Sequence, residues 1–433
     1  MEYFINKKGE FWIENDEENK FCGKIIEKEN SFFLKTDLDK TTPIPKKHLI
    51  IVGRIGNTPV TLYKCSLTNY SSKKIFLVRY ILENYDNKTK MNFNHINIQF
   101  HNLENWINKD SLDVVIENDS TIINHTENKI SYKYNEMNID FLIEFDRSIK
   151  FNSFSIKKKY SIQIDSENGM HFTEILKIIR SLKNFLTFSM YNQTNLKNIT
   201  CSLNESSKPM KINIYSKLFD YTQTELNRLK ILLRFSDIES KKDIFERWFK
   251  INTKYKPLFD IYFMNFSDNL TIEYQLLSYT QALEGYMRKN EIFKDNFMNS
   301  KDYEIVKEEL NKYVENSIMT SGQKDSWINK IEYGNEVSLR KRLKDLIRYL
   351  DNFDITQKIT NGNFKEFIDN VVYIRNYYTH YSHDDTPDVN NLINTTFNLR
   401  LLIELCILNE LNFDKKFIDY VLNRKYERKP ILL

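Results

Sequence analysis

The segment Tyr373-Ile-Arg375-Asn376-Tyr-Tyr-Thr-His380 sets an arginine, an amide and a histidine within six residues. A histidine moves protons near neutrality, whereas an arginine keeps its charge and grips an anionic group through a planar fork. The chemistry on offer is proton transfer beside a fixed positive charge. On a helix, Arg375 falls within about 20° of Phe364 and close to Ile368 and Val371. An arginine in such an apolar stripe is costly unless paired or working. His380 would lie roughly 140° from Arg375 on a continuous helix. The stretch Ser382-His-Asp-Asp-Thr-Pro387 reads as a helix stop, so the chain is expected to loosen before His380 and turn the imidazole back toward Arg375. From spacing alone the plainer account is an internally salt-bridged arginine beside a surface histidine.

Two further groupings compete. His380-x-x-His383-Asp384-Asp385 has the residue types of a metal cluster, or of the His-Asp pair of a phosphohydrolase. Such sites draw ligands from several helices, and the other histidines (48, 95, 101, 125, 171) all lie in the first half of the chain. A solvated turn is the better account, and no metal or other cofactor is expected. In Leu339-Arg340-Lys341-Arg342-Leu343-Lys344, the side chains of Lys341, Lys344 and Arg348 share a face opposite the leucines, with Arg340 beside them. A solvated helix face is the default reading there.

The elements that position these residues follow from patterning. Before residue 220, short apolar and β-branched runs alternate with Asn, Asp, Gly and Lys. His48–Val52, the turn Gly56-Asn57 and Val60–Tyr63 read as a hairpin. Strands are expected at 75–78, 130–134, 139–143 and 160–164, with one helix at 171–188. After residue 240 the period is helical. Stripes run through Ile272, Leu276, Tyr279, Leu283, Tyr286 and Met287, and through Tyr303, Val306, Leu310 and Tyr313. Others follow at Leu339, Leu343, Leu346, Ile347 and Leu350, and at Phe364, Phe367, Ile368, Val371 and Tyr378. A last long helix opens with Thr386 as N-cap and Pro387 at its first position. The basic pairs Arg424-Lys425 and Arg428-Lys429 read as a mobile tail. The expected fold class is α+β: a β-rich domain over 1–220, then an all-α bundle over 221–433.

Composition narrows the function. The 433 residues carry 63 basic and 59 acidic side chains, a net +4 that excludes a tail-driven nucleic-acid binder. With 41% hydrophobic residues, 30 Phe and 26 Tyr, the chain can fill large cores. The single alanine, Ala282, amid abundant Lys, Asn and Ile, reflects an A+T-rich coding sequence. No apolar run approaches the ~18 residues of a membrane span, and the first residues lack a signal layout. A cytoplasmic protein without a membrane partner is expected. Cys22, Cys65, Cys201 and Cys406 are widely spaced, as befits free thiols.

Arg375-Asn376-x-x-x-His380, at the end of the penultimate helix of an α-bundle, resembles the motif of HEPN-domain ribonucleases. Trp248-Phe249, Gln281-Ala-Leu-Glu284-Gly-Tyr-Met-Arg288 and Ser338-Leu-Arg340-Lys-Arg342-Leu343 resemble the corresponding helices of the ApeA-like HEPN domain. Gly9-Glu-Phe-Trp12, Gly23, Ile51-Val-Gly53-Arg54 and Val60-Thr-Leu62 resemble the β-rich domain that precedes it in ApeA proteins. The resemblance implies a metal-independent endoribonuclease in bacterial anti-phage defence. Arg375 would hold the phosphate, Asn376 would position phosphate or histidine, and His380 would be acid or base. Glu284 would pair with Arg375 or orient the site. RNA, tRNA among its classes, would be the substrate, and Arg340, Lys341, Lys344 and Arg348 would touch its backbone. It further implies a homodimer through the bundle and a phage-derived trigger; residues 1–220, with no paired carboxylates at motif spacing, no Gly-rich phosphate loop and no Cys/His cluster, are expected to sense or regulate. Two rivals remain open: a HEPN-like module that binds RNA or a nucleotide without cutting, and a metal phosphohydrolase.

Overall fold

The computed structural model describes residues 4–39, 43–44, 49–68, 73–87, 91–109, 112–117, 120–125, 128–151, 153–203, 211–217, 225–267, 270–380 and 386–428. The chain forms two compact units, Met1–Glu246 and Arg247–Leu433. The class is α+β, with a β-rich region followed by a helical one.

The first unit begins with β1 (Lys8–Ile13), β2 (Phe21–Lys28), β3 (Ser31–Asp39), β4 (Leu49–Ile55), β5 (Thr58–Thr68) and β6 (Lys73–Val78). They pair antiparallel in the order β5-β4-β1-β2-β3-β6, and β6 returns to β5, closing a barrel. Phe11, Phe21, Ile25, Phe32, Leu34, Ile51, Leu62 and Phe76 fill its core. The expected hairpin is β4–β5: Ile55 faces Thr58 across the turn, where Gly56 holds φ +60° at no steric cost. A second glycine has a packing reason. A Cβ on Gly53 would sit 2.3 Å from the Phe11 ring, so only glycine admits that ring on the paired strand.

The sheet continues from β5 through β7 (Tyr80–Glu83), then β15, β14, β8, β13, β12 and β11. Their ranges in chain order are β8 (Asn92–Phe100), β9 (Leu112–Glu117), β10 (Ser120–His125), β11 (Asn128–Tyr134), β12 (Met137–Lys150), β13 (Ser153–His171), β14 (Leu196–Ser202) and β15 (Ile212–Tyr215); β9 and β10 pair separately. Helix α1 (Leu103–Ile107) follows β8, and α2 (Phe172–Met190) is the expected helix. His171 caps α2 by accepting the Thr173 N–H, and its apolar face packs on β8 and β13. The unit ends beyond 220 because α3 (Phe235–Ile238) and the start of α4 (Ile244–Lys254) are held there. Phe235 lies 5.2 Å from Trp106, and Phe245 lies 4.8 Å from Phe185 and 4.9 Å from Tyr132.

The second unit holds α5 (Lys256–Ser267), α6 (Ile272–Lys289), α7 (Ser300–Glu315), α8 (Ser321–Glu332), α9 (Leu339–Tyr349), α10 (Asp354–Ile359), α11 (Phe364–His380), α12 (Val389–Glu410) and α13 (Lys415–Tyr426). α6 packs on α5 and α12, and α11 packs on α9, α6 and α12. The stripes of α6 and α9 are buried apart from their first residues. That of α7 is not: Leu310 and Tyr313 are exposed, because α7 packs chiefly on α8. α12 has the length and apolarity to cross a bilayer, yet 67% of that window is buried inside the bundle. Its N-cap is Asp388, which accepts the Asn391 N–H, and Thr386-Pro387 precedes the helix instead of opening it.

Arg424 and Lys425 belong to α13 and not to a tail, so the motif helix is third from last. The reason is an ion pair: Lys425 reaches Glu404, which is fully buried on α12 and also takes Tyr262 Oη at 2.8 Å and Arg400 Nε at 3.3 Å. A further, part-buried network surrounds Glu410, which accepts from Tyr255 (3.0 Å), Tyr286 (2.8 Å) and Asn290 (3.1 Å). Burial pushes the Tyr286 phenol up, so it stays a donor to that carboxylate.

Candidate active site

Helix α11 carries the motif. Asn363 opens it, accepting the Glu366 N–H at 3.2 Å while donating to Glu366 Oε2 at 2.9 Å. Its buried face is Phe367, Ile368, Val371 and Ile374; Phe364 is 41% exposed. Arg375 therefore sits at the margin of the apolar stripe, half-buried, and not in its middle. Its Nη1 donates to Asn376 Oδ1 at 3.0 Å, leaving the rest of the fork for an anion.

The helix does not loosen before His380. Thr379 Oγ1 donates to the Arg375 carbonyl at 2.7 Å, and helical geometry runs through His380, which is exposed. The imidazole is thus carried roughly 140° around the axis from Arg375 and about 7.5 Å along it. One copy of the helix does not turn both groups toward one point.

Glu284 does not pair with Arg375 among the described residues. It sits half-buried on α6 and acts on Arg288, whose guanidinium is held up chiefly by Glu336, with Asp295 and Glu284 adding to the effect. The basic face of α9 also divides. Arg340 is paired with Asp369 of α11, and Lys341 with Asp345 at 2.6 Å. Lys344 and Arg348 have no carboxylate partner among the described residues. Arg342 is a structural group: 2% exposed, it binds Asp295 Oδ1 at 2.7 Å and the Val337 carbonyl at 3.2 Å.

No three-ligand metal cluster occurs among the described residues, and His383, Asp384 and Asp385 lie outside them. Motif reading passed over Asp369, which anchors Arg340. It also passed over Asn370 and Tyr373, which line a cleft beside the motif. A visible signal was the seven-residue step from Tyr373 to His380, which puts both on one helix face.

A β-barrel unit followed by a helical unit with this arginine–histidine helix defines a HEPN-type protein. Residues 6–248 match ApeA N-terminal domain 1, and residues 277–417 match the Apea-like HEPN domain. The chain belongs to the ApeA family of HEPN-type anti-phage proteins. No curated protein and no solved structure matches it.

Proposed function

We propose that the chain is a metal-independent endoribonuclease that arrests phage-infected bacteria by cutting RNA in the cytoplasm. The observation that carries this reading is the Arg375–Asn376 pair and the exposed His380 on one helix of the domain that matches the Apea-like HEPN family. RNA supplies its own nucleophile. The 2′-oxygen attacks the neighbouring phosphorus, its proton passes to a base, and the 5′-oxygen leaves with a proton from an acid. The products are a 2′,3′-cyclic phosphate and a free 5′-hydroxyl. Arg375 offsets the negative charge that builds on the phosphorane oxygens, and His380 transfers protons.

The 140° between Arg375 and His380 supports a homodimer through the helical unit. A two-fold axis beside His380 supplies two copies of each group to one phosphate. Lys344 and Arg348 remain available to the RNA backbone. In this reading the β-rich unit senses a phage-derived trigger and adds no catalytic group.

The test is cleavage by purified protein in EDTA with analysis of the fragment ends. Cyclic phosphates are expected, and DNA or RNA bearing a 2′-methoxy group at the cleaved position should resist. His380→Ala should lose roughly 100- to 10,000-fold in rate, with stability changed by less than ~1 kcal/mol because the side chain is exposed. Arg375→Ala should also stop cleavage. Its stability cost should be small, since the half-buried guanidinium bonds Asn376 and no carboxylate among the described residues. Undiminished cutting by His380→Ala, or equal cutting of DNA, overturns the mechanism.

A further inference from the structure

We infer that a cleft of about 720 Å³, bounded by α10, α11, α12 and α13, is a subsite for an unpaired adenine of the RNA substrate. This rests on the ribonuclease reading and adds what the enzyme recognises. Where helices of a bundle meet, the facing stripe is ordinarily apolar. Here α12 offers Asn391, Asn394, Thr395 and Asn398, at i, i+3, i+4 and i+7, and all of them line the cleft.

The amides divide into a fixed floor and a reading edge. Asn370 Nδ2 donates to Asn391 Oδ1 at 2.8 Å, and Asn391 Nδ2 donates back to Asn370 Oδ1 at 2.7 Å. Thr395 Oγ1 accepts a further bond from Asn370 at 2.7 Å. This network satisfies itself and holds α11 against α12. Asn398 belongs to the floor as well: it donates to the Ile359 carbonyl at 3.0 Å and its Oδ1 is buried. Asn394 is exposed at the wall. Its amide presents a donor beside an acceptor, the pattern that matches N6 and N7 of adenine. Tyr373 and Tyr426 line the same cleft and provide rings on which a base can stack.

Position ties the cleft to the motif. Tyr373 lies on the face of α11 that carries His380, about 20° away in angle and about 10.5 Å along the axis. That is roughly three times the stacked rise of a nucleic-acid strand. A base held at Tyr373 therefore belongs to a nucleotide a few positions from the scissile phosphate, and it would fix where the strand is cut. The volume lies within the range of small-ligand sites.

The experiment uses the full chain and 2′-O-methyl homopolymers of A, C, G and U, which bind without being cut, with affinity read by fluorescence anisotropy. The parent should prefer oligo-A by roughly tenfold, the discrimination expected of one bidentate amide contact. Asn394→Ala should erase the preference with an unchanged melting temperature. Asn394→Trp, which fills the cleft, should weaken oligo-A binding to the level of the others. Equal binding of all four by the parent, or an adenine preference surviving both substitutions, overturns the subsite. A parent that cuts RNA in EDTA yet shows no preference overturns the subsite alone. A parent that prefers oligo-A but cuts nothing, with or without lysate of phage-infected cells, overturns the ribonuclease reading and supports the base-binding cleft.

Discussion

Replacing Lys425 by methionine tests whether α13 is an integral part of the helical unit. Methionine keeps most of the apolar stem and removes the ammonium. The Glu404 side chain is fully buried and that of Lys425 only 14% exposed, so the perturbation orphans a buried carboxylate. Breaking one half of such a pair costs about 3–5 kcal/mol. Arg400 at 3.3 Å and the Tyr262 hydroxyl at 2.8 Å remain to Glu404, which places the expectation near 3 kcal/mol. For a unit of this size each kcal/mol moves Tm by ~2–4 °C, so the helical transition should fall by roughly 6–12 °C. Scanning calorimetry should resolve it beside the Glu404→Leu/Lys425→Met double variant. The double variant removes the buried carboxylate together with its lysine and should recover part of the loss, Arg400 being left without that carboxylate. Arg400 stays tolerable there because its guanidinium lies 4.6 Å over the Phe266 ring. A Lys425→Met protein melting within about 2 °C of the parent would refute the reasoning.

Gly53→Ala should destabilise the barrel unit by about 1–3 kcal/mol, read as a lower urea midpoint, because the new methyl meets the Phe11 ring and the Glu10 carbonyl. Asp295→Ala should cost ~2 kcal/mol in chemical denaturation by leaving Arg342 buried without its carboxylate; the half-exposed aspartate keeps the figure low. Under native conditions iodoacetamide should modify Cys22 alone among the four cysteines, as peptide mass mapping would show. Cys22 is exposed, whereas burial pushes the thiols of Cys65, Cys201 and Cys406 well above their ordinary range.

Local patterning was enough where the next element in sequence is also the partner in space. The β4–β5 hairpin announces itself by Gly56-Asn57, and α2 by its apolar spacing, while His171 as its cap is seen only in the structure. Closure of the barrel is different in kind. It depends on β5 being long enough to pair with β7 along Val60–Tyr63 and with β6 along Ser66–Thr68, and alternation along one strand is silent about that. The α7 stripe shows the limit of periodicity: Tyr303 and Leu310 repeat at helical spacing, but a period names a face without supplying anything to cover it. α13 was misread because Lys425 looks like a tail residue until Glu404, 21 positions earlier, is seen buried against it. The motif residues were readable from the sequence, while their relative direction was not. That hinged on Thr379 bonding the Arg375 carbonyl, with helical geometry running through His380 where Ser382–Pro387 had suggested loosening before it. The amides of the cleft were masked by a chain in which asparagine is common everywhere.

The distance along the chain between Glu404 and Lys425 also sets an order of events during translation. The helices α6, α9 and α11 leave the ribosome first, followed by Glu404, and only later by the lysine that neutralises it. Before then, closing α12 into the bundle would bury a carboxylate short of one cation. That penalty is a large fraction of the net stability of a typical domain. Packing of α12 is therefore expected to be complete only once residue 425 is free to reach Glu404.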